Sequence, residues 1–108
     1  MASPLNTFKS VGANVTTVSS TVYTCPLETT AIVLLAQATN INASSAGNIT
    51  FFSSVNGNTE LVKDFTIPVG DAASLLAGKL VIEAGQSIGC SSNANSILKL
   101  TLSILEST

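Results

Sequence analysis

Histidine, tryptophan and arginine are missing from this 108-residue sequence. Charge of either sign is scarce: four lysines face six acidic residues, for a formal net charge of -2. Each absence closes a class of function. Without histidine, the ordinary general base near neutral pH and the commonest metal ligand are gone. Four lysines with no arginine offer no basic face, so neither nucleic acid nor anionic membrane is expected as a partner. The two cysteines, Cys25 and Cys90, are far apart and belong to no C-x-x-C pair, which argues against zinc. Residues 31–36 form the longest unbroken apolar run, far short of a membrane span. Gly70, Gly78 and Gly85 are spaced as turn markers, not as a phosphate cradle. No cofactor or metal is expected.

Hydrophobic residues are plentiful, at 45%, while charged residues make up only 9%, against about 25% in an ordinary soluble domain. The polar remainder is mainly Ser, Thr and Asn. A free monomer normally keeps surface charge for solubility; a protein packed against its own copies or on a lattice has less need of it. The composition therefore points to assembly. The length suits one domain that buries roughly 65% of its unfolded surface. The first residues carry no basic stretch followed by an apolar one, so the chain is expected to be made in the cytoplasm.

The periodicity is that of strands. Val, Ile, Thr and aromatic residues dominate, cut about every ten residues by Gly, Asn and Ser clusters. Residues 14–25 (NVTTVSSTVYTC) read as two short strands, or one kinked at Ser19-Ser20. Residues 30–41 (TAIVLLAQATNI) read as a strand covered on both faces or central in its sheet. Phe51 and Phe52 fall on opposite faces of residues 48–55. Asn56-Gly57-Asn58 is the strongest hairpin signal, since Asn-Gly accepts the positive φ of a type I′ turn. On the returning strand, residues 59–67, Lys63 shares a face with Leu61, Phe65 and Ile67, which fits either a strand end or a charge-protected edge. Asp71 to Leu76 allows a short helical turn, a loop or a short strand. Residues 96–106 alternate cleanly, with Leu98, Leu100, Leu102 and Ile104 on the core face. Seven to nine short strands and no long helix predict an all-β, antiparallel two-sheet sandwich. With no Trp between the cysteines, a jelly roll fits better than an immunoglobulin fold. Residues 11–108 make the domain. Residues 1–10 read either as an arm, with Leu5 and Phe8 as anchors on a neighbour, or as a first strand of the same sandwich.

No catalytic constellation emerges. No lysine neighbours a serine in a recognisable motif, and Glu28, Glu60, Asp64, Asp71, Glu83 and Glu106 read as solvated turn and strand-end residues. A sugar site needs exposed aromatics; Tyr23 and the outward member of Phe51 and Phe52 are the candidates, and each is equally a candidate subunit contact. Cys25 and Cys90 read as buried thiols in a reducing compartment, or as a disulfide within or between subunits.

Several stretches together resemble small virion structural proteins of tailed bacteriophages, especially phages of cyanobacteria and marine bacteria. They are the start PLNTFKSV, the turn YTCP, TAIVLLAQATNI, TELVKDFTIP, DAASLLAGKLVIEAGQSI and the ending LKLTLSILE. Cys25 and Cys90 stand where that family is expected to carry Ala or Val. The resemblance implies a small, non-enzymatic β-sandwich in the virion. Its expected role is capsid decoration (cement), or else a neck or tail appendage or a carbohydrate-binding attachment module. The implied partners are its own copies, most simply a trimer, and the major capsid or other virion proteins.

Overall fold

The computed structural model describes residues 6–55 and 57–108. They form nine strands: β1 (Asn6–Asn14), β2 (Ser20–Thr24), β3 (Thr30–Asn40), β4 (Gly47–Ser53), β5 (Thr59–Ile67), β6 (Ala72–Ser74), β7 (Leu80–Ile82), β8 (Ser87–Ser92) and β9 (Leu98–Ser107). One sheet runs β1-β9-β3-β6, with β7 also paired to β3; the other runs β2-β8-β4-β5. All pairings are antiparallel. The expected two-sheet sandwich is present, in the strand order of a jelly roll whose sixth strand is split into β6 and β7.

This order follows from one long hairpin rolled on itself. Asn6 pairs with Ser107, Ser20 with Cys90, Ala31 with Ile82 and Gly47 with Ile67. Their midpoints all fall at residues 55 to 57, on the Asn-Gly signal. Rolling then adds the β3–β9 and β4–β8 ladders, which close each sheet. Asn56 lies outside the described residues, and Gly57 has the positive φ that the signal requires (86°). The turn is longer than a two-residue type I′: Ser53 pairs with Thr59, leaving residues 54–58 between them. Thr59 Oγ1 donates to the Val55 carbonyl at 2.7 Å and braces that loop.

The core is the inner face of both sheets. Leu98, Leu100, Leu102 and Ile104 of β9 are buried as their alternation predicted, against Ile49, Phe51, Ile82 and Ile88 among others. β3 takes the central alternative, between β9 on one side and β6 and β7 on the other, and residues 31–36 are apolar on both faces without full coverage. A register shift between Val33 and Leu35 inserts an extra residue, and on the outer face Ile32 lies half-buried while Leu34 and Leu35 are exposed. On β5 the expected face of Leu61, Lys63, Phe65 and Ile67 is broken. Asp64 has a φ of 50°, and Phe65 pairs with Ile49 while Val62 pairs with Phe51. The bulge hands the core side from Phe65 to Val62, so Lys63 leaves it. β5 is an edge strand, and residues 72–74 take the short-strand alternative. β1 likewise settles residues 6–10 as part of a strand of the sandwich, paired to β9 throughout. Leu5 lies outside the described residues.

Polar side chains supply what charges do not. Buried Asn40 donates from Nδ2 to the carbonyls of Ser45 and Ile67, and its Oδ1 accepts from the Asn42 amide. Among the described residues, no buried side-chain N or O lacks a partner.

Candidate assembly surface

Paired residues in antiparallel strands project from the same face. Phe8 of β1 pairs with Leu105 of β9, Leu105 with Ile32 of β3, and Ile32 with Val81 of β7. These four side chains form one apolar row across the outer face of the β1-β9-β3 sheet, on the order of 14 Å wide at the usual strand spacing. Its ends are the most open: Phe8 is 74% exposed and Val81 56%. Leu34 and Leu35, pushed outward by the β3 shift, widen the row at its centre. On the strands that form this face, Lys99 is the charged residue that points outward. The opposite sheet has a different outer surface, where Thr66 donates to Asn48 and Thr50 hydrogen-bonds the Asp64 amide.

Four residues along β1 from Phe8, Gly12 stands opposite Thr101. An added Cβ there would meet nothing within 4 Å. The gap is a shallow open depression of about 290 Å³, lined by Gly12, Ala13, Asn14, Lys99, Leu100 and Thr101.

No family model and no curated protein matches the chain. A solved structure of a Bacillus endospore appendage, described as a novel family of disulfide-linked pili, is similar. Its TM-score is 0.53 at 11% identity, covering 96% of this chain and 86% of that one. The likeness is one of fold.

The sequence-flagged residues divide sharply. Phe8 is a prominent surface side chain. Tyr23, expected at a subunit contact or sugar site, is instead in the core. Its hydroxyl donates a hydrogen bond to Glu106 Oε2, whose other carboxylate oxygen is 3.1 Å from Lys9 Nζ. Desolvation, then the Glu106 contact, pushes the Tyr23 hydroxyl well above its ordinary pKa. The Tyr23 hydrogen bond, then Lys9, holds the Glu106 carboxyl below its ordinary value against the opposing effect of burial. The Glu106 partner that holds Tyr23 in the core lies 83 residues away, beyond any local signal. Phe51 is also core, and Phe52 lies across Gly89, so neither presents a free ring for a sugar.

Cys25 and Cys90 are buried free thiols. The Cys25 amide donates to the carbonyl of Gln86. Cys90 is four residues farther along that stretch, about 13 Å at strand rise and beyond disulfide reach. Burial, then the nearby Glu106 charge, raises the Cys25 pKa; burial raises that of Cys90 to about 11. Both therefore stay protonated and unreactive. Iodoacetamide at neutral pH is expected to leave both unlabelled in the native protein and to label both in denaturant, as read by intact mass; fast native labelling of either would contradict its burial.

Proposed function

We propose that this protein is a non-enzymatic structural subunit that assembles with its own copies. The observation that carries this reading is the apolar row Phe8–Leu105–Ile32–Val81 on a face nearly free of charge. Such a row costs solubility on a free monomer and stabilises a contact once it is covered. The protonated thiols and the paired Tyr23–Glu106–Lys9 group offer no activated nucleophile.

The finer assignment is a tailed-phage virion component that decorates or cements the capsid, which rests on the sequence resemblance. The alternative is an appendage subunit, of a phage neck or tail or of a filament. It is supported by the fold shared with a pilus subunit. That pilus is described as disulfide-linked; here both cysteines are buried, so assembly through this chain's own residues is non-covalent. Symmetry lets modest contacts add into a stable structure.

Light scattering after size exclusion tests the reading. The expected mass is a multiple of 11.0 kDa that rises with concentration and is unchanged by reductant. A monomer at every concentration would remove the self-assembly reading. A glycan array is expected to stay silent; reproducible binding to one glycan class would replace it with host attachment.

A further inference from the structure

Four kinds of sheet edge are on offer, and three carry a guard against strand addition. β5 bears Glu60, Lys63 and Asp64 and shifts register twice. β2 has five residues and a shift. β6 and β7 have three residues each. Charges, bulges and shortness are the devices that keep edges from pairing. β1 has none of them: it runs nine residues with continuous register against β9. Its one charged side chain, Lys9, is paired with Glu106 of its own chain. Among the described residues, no strand pairs with its outer edge.

We infer that β1 is the self-association edge, and that it pairs antiparallel with β1 of a second copy about a two-fold axis at Ser10. This rests on the self-assembly reading and names one contact of it, at the Phe8 end of the apolar row. The partner must present an unguarded edge of its own, and on a second copy that edge is β1. A two-fold perpendicular to the sheet keeps outer faces together, which allows only registers centred on a residue. Centring on Lys9 would set two like charges opposite each other, a destabilising arrangement. Centring on Ser10 pairs all nine residues, Asn6 to Asn14, and sets Lys9 against Val11. It also sets each Phe8 opposite Gly12 of the other copy. The most exposed aromatic ring of the sheet thus enters the depression that Gly12 leaves, beside Lys99, twice by symmetry. An aromatic ring opposite a strand glycine covers backbone that the glycine leaves bare, and a lysine beside that ring adds a cation–π contact. The two apolar rows then lie on one continuous outer face that spans both copies.

Two substitutions break the contact without touching the core: Phe8→Lys, which brings a second cation to Lys99, and Gly12→Val, which fills the depression. Each is expected to reduce the self-associated mass to that of a smaller species while leaving the β circular dichroism unchanged. Ser10→Cys, directly opposite its own copy and within disulfide range, is expected to cross-link with diamide into a dimer on a non-reducing gel. Phe8→Cys, facing glycine, is not. If the unmodified protein is a monomer at all concentrations, the self-assembly reading and this interface both fall. If it associates, but Ser10→Cys does not cross-link and both disrupting variants keep the full mass, this interface alone is wrong. Cross-linking of Phe8→Cys in place of Ser10→Cys would equally overturn it. The contact is isologous and makes dimers, so a trimer needs a second, different surface.

Discussion

Gly89→Ala is expected to destabilise the fold by about 1–3 kcal/mol, in the range of overpacking a dense interior. Gly89 sits in β8, between Thr21 of β2 and Phe52 of β4. A Cβ there would come within 2.5 Å of the Ser20 carbonyl oxygen and 2.8 Å of the Phe52 ring. The ring can rotate, but the carbonyl belongs to the neighbouring strand and moves only if β2 moves. At ~4–8 °C per kcal/mol for a domain near this size, the melting temperature should fall by several degrees or more. Gly78→Ala is the matched control, since an added Cβ there meets nothing within 4 Å, and it should melt close to the parent. Equal stability of the two variants in a urea titration would show that β2 yields at no cost.

The second large effect belongs to Glu106. Replacing it with Ala leaves the buried Tyr23 hydroxyl without its acceptor and Lys9 without its counter-ion. An unsatisfied buried hydroxyl costs about 1–3 kcal/mol, and the loss should appear in full at neutral pH. The pH dependence has a definite sign. Tyr23 and Lys9 hold the Glu106 carboxyl below its unfolded-state pKa, so the unfolded chain binds its proton first as pH falls. The stabilisation is therefore complete above the unfolded value, about 4.3. It is lost as pH drops through the lower folded value. Glu106→Gln keeps the shape and removes the titration: it should be less stable than the parent at pH 7 and show a flatter decline below pH 5. A Gln variant with the parent's acid profile would mean that other carboxylates govern acid unfolding. Tyr23→Phe separates the two partners, since it removes the hydrogen bond and leaves the Lys9 contact.

The fold class was legible because β9 alternates without fault from Leu98 to Ile104 and because Asn56-Gly57 marks a reversal. Both are local signals, and both concern residues whose environment is set by their immediate neighbours. Three features were not legible, each for its own physical cause. The β5 bulge at Asp64 changes side-chain parity without any Gly or Pro to announce it. The core position of Tyr23 depends on a carboxylate at the other end of the chain. The apolar row depends on the registers of three separate strand pairs, so Phe8, Ile32, Val81 and Leu105 look like isolated hydrophobes in sequence. Phe8 drew notice as an anchor, yet the depression at Gly12 that suits it emerges only when β1 lies against β9. Low charge was the one global signal that anticipated the surface.

The pairing of strands about the chain's midpoint also sets an order of events. Asn6 and Ser107 are 101 positions apart, and joining them directly would carry the entropy of a very long loop. Zipping outward from residues 54–58 avoids that. Once β4 and β5 have met, β3 needs to find only β6 and β7, β2 only β8, and β1 only β9, each across a short remaining gap. The jelly roll's contacts are remote in sequence yet need never be remote when they form, which should make folding faster than sequence separation alone implies. On this route the last strand laid down is β1. The bare edge that receives a second copy is completed only when the rest of the sandwich is closed, so association follows folding and a half-folded chain has no finished edge to offer.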